Sequence, residues 1–141
     1  MSEQDLKKKL LELMRANQFA VMATINAEGK PWARYMACKT DDNLCIRTST
    51  FKSSRKVAQI NANPEVHFTM GANNSEHMGA YVQVQGRAEV SDDPEVKKSF
   101  WSESLKYYFK GSDDPNYVVI TVKPYLIEYW HMASKPEILK L

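Results

Sequence analysis

RYMACKTDDNLCIRTSTFKSSRKVAQINANP, residues Arg34 to Pro64, contains the pattern that sets the architecture of this chain. Alternating side chains from Arg34 to Thr40 and from Leu44 to Thr50 predict two strands joined at Asp41-Asp42-Asn43. A three-residue turn there would set Thr40 opposite Leu44, Cys38 opposite Ile46, Met36 opposite Thr48 and Arg34 opposite Thr50. The shared face is apolar in its middle and polar where Arg34 meets Thr50. The chain then enters a hydroxyl-rich turn (Thr48, Ser49, Thr50, Ser53, Ser54), the pair Arg55-Lys56, and a helix from Ser53 to Asn61. Asn63-Pro64 stops that helix, because the residue before proline avoids helical geometry. With Ser53 as N-cap, the amides of Arg55 and Lys56 fall among the unpaired donors of the first turn. Two cations there oppose the helix dipole by tenths of a kcal/mol to about 1 kcal/mol. A phosphate dianion would suit hydroxyls, amides and cations gathered in this way. A polar turn ahead of a solvated amphipathic helix would suit them equally, and the stretch alone leaves both readings open.

Outward from this segment the period-two pattern persists. Phe19 to Asn26 and Trp32 to Thr40 read as a hairpin about Ala27-Glu28-Gly29-Lys30. Glu65 to Met70 and Tyr81 to Ser91 read as strands around a polar loop from Gly71 to Gly79, with Gly86 permitting a bulge. Asn116 to Val122 and Tyr125 to Met132 read as two final strands split by Lys123-Pro124. Leu6, Leu10, Leu13 and Met14 repeat at a helical spacing within Ser2 to Ala16, with Ser2 as its cap and Asp5 three positions on. Asp92-Asp93-Pro94 opens a third helix, with Phe100, Trp101, Leu105, Tyr108 and Phe109 as its bulky contacts. Six or seven strands with short connections and about three helices predict a mainly β, α+β chain. Its sheet should be an antiparallel closed or split barrel with flanking helices, a single domain over residues 1–141.

At 141 residues, 43% apolar and 26% charged, the chain has the make-up of a soluble globular domain. A formal charge of +2, with acids scattered among the bases, argues against nucleic acid as a partner. No apolar run reaches membrane-span length, and the N-terminus is charged and amphipathic, so the expected location is the cytoplasm without membrane attachment. Cys38 and Cys45 point to opposite faces in this register, which predicts free thiols. His67, His77 and His131 lack the spacing of metal ligands.

Two aromatic positions carry alternative readings. Trp130, in IEYWHM, sits near a strand end, where an indole fills a core or dimer interface or offers a surface to a planar ligand. Tyr81 and Gln83 share one face of their strand, facing solvent or contacting a ring system. Trp32, in GKPWARYM, reads as a packing residue.

Taken in order, the strand with Arg34 and Lys39 five apart, TFKSSRK, the helix ending at Asn63-Pro64, VQVQGRAEV and IEYW form a longer pattern. In that order and spacing the chain resembles the pyridoxamine 5′-phosphate oxidase-like superfamily of FMN-binding split barrels, most closely its short general stress protein members. The resemblance implies FMN as cofactor. It sets Arg34, Tyr35, Met36 and Ala37 along the flavin and its ribityl phosphate, Ser49 and Thr50 in contact with FMN, and Arg55 and Lys56 on the phosphate. It makes Trp130 the residue that a partner subunit brings to the flavin, which implies a homodimer with FMN at the interface. Tyr81 falls where the oxidases often carry glutamine, and Lys39 aligns with a position that touches substrate.

One departure narrows this. The oxidases follow their tryptophan with a basic segment that grips the vitamin phosphate, whereas this chain continues HMASKPEILKL, with no arginine after Arg87. The expectation is a flavin-dependent oxidoreductase of an unknown small-molecule substrate rather than a pyridoxamine phosphate oxidase. A non-catalytic flavin-binding or sensing module is the alternative, and haem or a deazaflavin the rival ligands. No side chain stands out as a catalytic acid, base or nucleophile.

Overall fold

The computed structural model describes residues 1–72, 79–131 and 135–141. Its elements are α1 (Glu3–Ala16), β1 (Phe19–Ile25), β2 (Pro31–Thr40), β3 (Ile46–Phe51), α2 (Arg55–Ala62), β4 (Glu65–Gly71) and β5 (Tyr81–Ser91). They continue with α3 (Pro94–Phe100), a 3-10 turn (Glu103–Tyr107), β6 (Tyr117–Trp130) and β7 (Glu137–Lys140). The strands run in the order β3-β2-β1-β4-β5-β6-β7, all pairs antiparallel, and a second pairing of β3 with β6 closes six of them into a barrel.

Closure depends on the length of β6. Its first part, Tyr117 to Val122, pairs with β3, and its later part, Leu126 to Tyr129, pairs with β7, while β5 runs along it from Val119 to Trp130. The expected break at Lys123-Pro124 does not occur: β6 is continuous. Pro124 falls between the β3-paired and β7-paired stretches, beside a register irregularity at Gln85/Gly86, so its missing N–H costs no regular ladder bond there. The sequence reading had no counterpart of β7. Residues 73–78 of the expected polar loop, and Met132 at the expected end of the last strand, lie outside the described residues.

Alternate residues of each strand point into the barrel, giving a core that includes Met22, Met36, Ile46, Phe68, Val82, Val84, Ile120 and Ile127. Each such side chain contributes roughly 1.5–3 kcal/mol by leaving water. Helix α1 adds Leu6, Leu10 and Met14 to this core. Ser2 caps it as expected, its Oγ accepting from the Asp5 amide at 3.1 Å. The third helix is shorter than its bulky residues suggested. It ends at Phe100, and the 3-10 turn carries the chain onward, so that Phe100, Phe109, Tyr117 and Val119 form a second small core.

The β2–β3 hairpin differs in register from the expectation. The Asp41 carboxylate accepts from the amides of Asn43 and Cys45, each at 2.9 Å, which lengthens the connection and starts β3 at Ile46 instead of Leu44. Thr40 therefore pairs with Ile46, and Cys38 with Thr48. The offset is two residues, so every side chain keeps its face. The direct pairing of Arg34 with Thr50 is lost.

Candidate functional site

β2 and β3 pair over only three residues each, Cys38–Thr40 with Ile46–Thr48. The Thr48 hydroxyl donates to the Ala37 carbonyl at 2.7 Å, and beyond that point the strands part. β2 continues beside β1, and Ser49, Thr50 and Phe51 of β3 continue beside β6. Between them opens a cleft of about 380 Å³. Tyr35, Met36 and Ala37 line one wall, Thr48 to Phe51 the other, and Leu105, Tyr108, Phe109 and Lys56 complete it. That volume lies in the range of small-molecule and cofactor sites.

One end of the cleft is cationic. The Lys56 ammonium donates to Thr50 Oγ1 at 3.0 Å, and Thr50 Oγ1 donates to Ser54 Oγ at 3.2 Å. Arg34, opposite Met22 on β1, donates to Thr24 Oγ1 at 2.7 Å and to Gln59 Oε1 of α2 at 3.2 Å. Arg55 is the first residue of α2 and is exposed, its guanidinium 5.5 Å from the centre of the Trp32 indole. Among the described residues, no carboxylate lies within ion-pairing distance of these three cations. Burial pushes the Arg34 guanidinium below its ordinary value, and the charge of Arg55 adds to this. Burial also lowers Lys56, with Arg34 and then Arg55 contributing. Three mutually repelling charges beside two hydroxyls form a site that an anion would relax.

The N-cap of α2 is Ser54 rather than Ser53, and its side chain accepts none of the first-turn amides. Of these the Val57 amide donates to the Ser54 carbonyl at 3.2 Å, which leaves the amides of Arg55 and Lys56 as first-turn donors without an intrahelical partner.

The structure thus gathers most of the residues expected at the site. Tyr35, Met36, Ala37, Ser49, Thr50 and Lys56 line the cleft, while Arg34 and Arg55 do not line it but lie close enough to Lys56 for their charges to act on it. Lys39 lines a smaller recess of about 160 Å³ with Gln18, Ser102 and Ser104. The recess shares Phe19, Ala37, Ser49 and Leu105 with the main cleft. Cys38 borders this recess too, but burial pushes its thiol up to about 11, so it is no nucleophile at neutral pH. Tyr81 and Trp130 stand apart from the cleft of their own chain. They are cross-strand partners on β5 and β6, their rings parallel within 3° and 6.1 Å apart, and the indole N–H donates to Glu128 at 2.9 Å.

Three contributors escaped the sequence reading. Thr24 lies diagonal to Arg34 across the β1–β2 hairpin, though its residue type did not mark it as a partner, and Gln59 reaches Arg34 from α2, 25 residues along the chain. Trp32 lies under Arg55 instead of packing inside the core; its position two residues before Arg34 on one strand was the available signal.

The six-stranded antiparallel barrel thus carries, where its hairpin parts, a cleft with a cationic end. The chain belongs to the pyridoxamine 5′-phosphate oxidase family, whose profile matches residues 6–131. It is 36% identical over 135 residues to general stress protein 26 of Bacillus subtilis (strain 168), covering 96% of this chain and 95% of that one. The crystal structure of general stress protein 26 from Bacillus anthracis superposes with a TM-score of 0.82 at 30% identity, covering 96% of this chain and 98% of that chain. A heme binding protein from Mycobacterium smegmatis shares the fold alone, with a TM-score of 0.79 at 14% identity over 99% of this chain and 58% of its own.

Proposed function

We propose that this protein binds FMN in the β2–β3 cleft as a homodimer and acts as a flavin-dependent oxidoreductase on a small substrate. The observation that carries the reading is the cluster of Arg34, Arg55 and Lys56, uncompensated by carboxylates among the described residues, at one end of a cleft of cofactor size. Proteins of this family typically bind flavin, and a phosphate dianion is the charge this corner lacks. In this reading Arg34, Arg55 and Lys56 hold the phosphate, Ser49 and Thr50 donate hydrogen bonds, and Tyr35, Met36 and Ala37 form the wall along the ring system. The bound flavin supplies the two-electron chemistry. The protein's share is to bind it, orient it and exclude water.

The second subunit enters because Tyr81 and Trp130 stack outside their own cleft. Around the cleft mouth Phe19, Tyr35 and Tyr108 are 74%, 80% and 65% exposed, which suits a surface covered by another copy. In the dimer Trp130 of one copy closes the cleft of the other, and Lys39 faces the substrate from the adjoining recess. The residues that directly follow Trp130, HMASKPEILKL, carry no arginine to hold a vitamin phosphate, so pyridoxamine phosphate oxidation is not the proposed reaction. The protonated Cys38 and the lack of an evident acid or base in the cleft also suit a non-catalytic flavin carrier or sensor. A cytoplasmic location is part of this proposal. No helix among the described residues is long and apolar enough to cross a membrane.

The deciding experiment is the absorption spectrum of the purified protein, with mass measurement of the released ligand, followed by stopped-flow reduction with NADH or NADPH. We expect FMN and reduction faster than that of free FMN. A haem spectrum would sink the flavin reading. Bound FMN reduced no faster than in solution would leave the carrier reading in place of the oxidoreductase.

A further inference from the structure

The three cations of the corner are held in different ways. Lys56 is tied to Thr50, and Arg34 to Thr24 and Gln59. Arg55 makes no hydrogen bond that orients it among the described residues; its neighbour is the face of Trp32, 5.5 Å from the guanidinium carbon. Trp32 is 46% exposed at the rim of β2, opposite the Thr24 that holds Arg34. One short strand segment, Trp32 to Arg34, thus supports two of the three cations.

We propose that Trp32 is a positioning residue for the anion, its indole face holding the Arg55 guanidinium beside Arg34 and Lys56. A carboxylate would orient Arg55 equally well but would neutralise it and occupy its donors. An aromatic face attracts the cation through the ring quadrupole and leaves its edge N–H groups and full charge for a ligand. The molecule contains the contrasting case: Arg87 lies over the Tyr125 ring and is also paired with Glu65 at 3.0 Å. Arg55 has the ring without the carboxylate. The charge of Arg55 is felt at both Arg34 and Lys56, as a guanidinium held in that place requires.

The inference rests on the phosphate-site reading, and its test separates the two. FMN and riboflavin are titrated, by quenching of flavin fluorescence, into protein freed of any copurified ligand. The proteins are wild type, Trp32→Leu, Trp32→Phe, Arg55→Ala and the Trp32→Leu/Arg55→Ala double variant, each checked for an unchanged melting temperature. Trp32→Leu should weaken FMN about three- to tenfold and leave riboflavin within about twofold. Trp32→Phe should restore most of the loss, and Trp32→Leu should add nothing in the Arg55→Ala background. Equal losses for both ligands, no rescue by phenylalanine, or an undiminished effect without Arg55 would each overturn the role of Trp32 while leaving the phosphate site standing. Wild-type protein that binds riboflavin as tightly as FMN would remove the phosphate site itself, and this inference with it.

Discussion

Two corners of the barrel hold arginines, and they are built on opposite principles. On β4 and β5, Glu65 faces Arg87 in register; its carboxylate accepts from Arg87 Nε at 3.0 Å and from the Tyr125 hydroxyl at 2.6 Å. Every charge there meets a partner supplied by the chain. Where β2 and β3 part, Arg34, Arg55 and Lys56 meet only hydroxyls, amide oxygens and an indole face among the described residues. The first corner is finished by folding alone. The second is left short of negative charge, and burial makes that shortage cost more. This difference separates a structural ion pair from the proposed binding site more clearly than a count of basic residues, which the weakly positive composition makes uninformative.

The largest test of the comparison removes the unfinished corner. Arg55→Ala/Lys56→Ala should weaken FMN on the order of 10²–10⁴-fold, given roughly 1.5–3 kcal/mol for each of two hydrogen bonds to a charged group. Riboflavin affinity should change by no more than about threefold. Isothermal titration with both ligands checks this. Equal losses would show that these side chains support the fold or the ring system and not a phosphate.

How much of this contrast the sequence foretold depends on the range of the interaction. Alternation over Phe19–Ile25 and Tyr81–Ser91 marked strands because one face of each is buried, whereas Arg55-Lys56 after a hydroxyl-rich turn suited an anion corner and a solvated turn equally. The hairpin register was misjudged because the Asp41 side chain takes two amides and extends the connection, a choice invisible in residue spacing. The even offset spared the assignment of faces, so Met36 and Thr48 still point inward. What fixes Arg34 was less legible: Thr24 reaches it across the β1–β2 hairpin, but Gln59 comes from α2 and only tertiary packing brings it there. The continuity of β6 through Pro124 was hidden, because it depends on which edge neighbour each half of the strand meets.

A smaller effect should appear in stability without ligand, with opposite signs at the two corners. Lys56→Met removes one of three repelling cations and leaves Thr50 bonded to Ser54. It should stabilise the ligand-free protein by a few tenths to about 1 kcal/mol. Glu65→Gln breaks a paired cluster that is partly exposed, and should destabilise by about 0.5–1 kcal/mol. Urea unfolding of the two variants reads both signs in one experiment. Saturating FMN should reverse the first sign and leave the second unchanged. Two changes of the same sign in the ligand-free protein would erase the distinction between the corners.

The smallest expected effect concerns His67, on the same outer face of β4 as Glu65 and bordering the same shallow recess as Tyr125. Burial lowers its pKa below the ordinary 6.5, and the charge of Glu128 only partly offsets this. The folded protein therefore keeps His67 neutral at a pH where the unfolded chain has already bound a proton. Between the ordinary value and the lowered one the unfolded state holds more protons, so stability falls as pH drops through that window. The finished corner thus has its own weakness in acid. Urea unfolding of wild type and His67→Gln between pH 7 and pH 5 should show a shallow downward slope for the wild type that is flatter in the variant. Parallel slopes would mean that the loss of stability in acid arises elsewhere than at the half-buried imidazole.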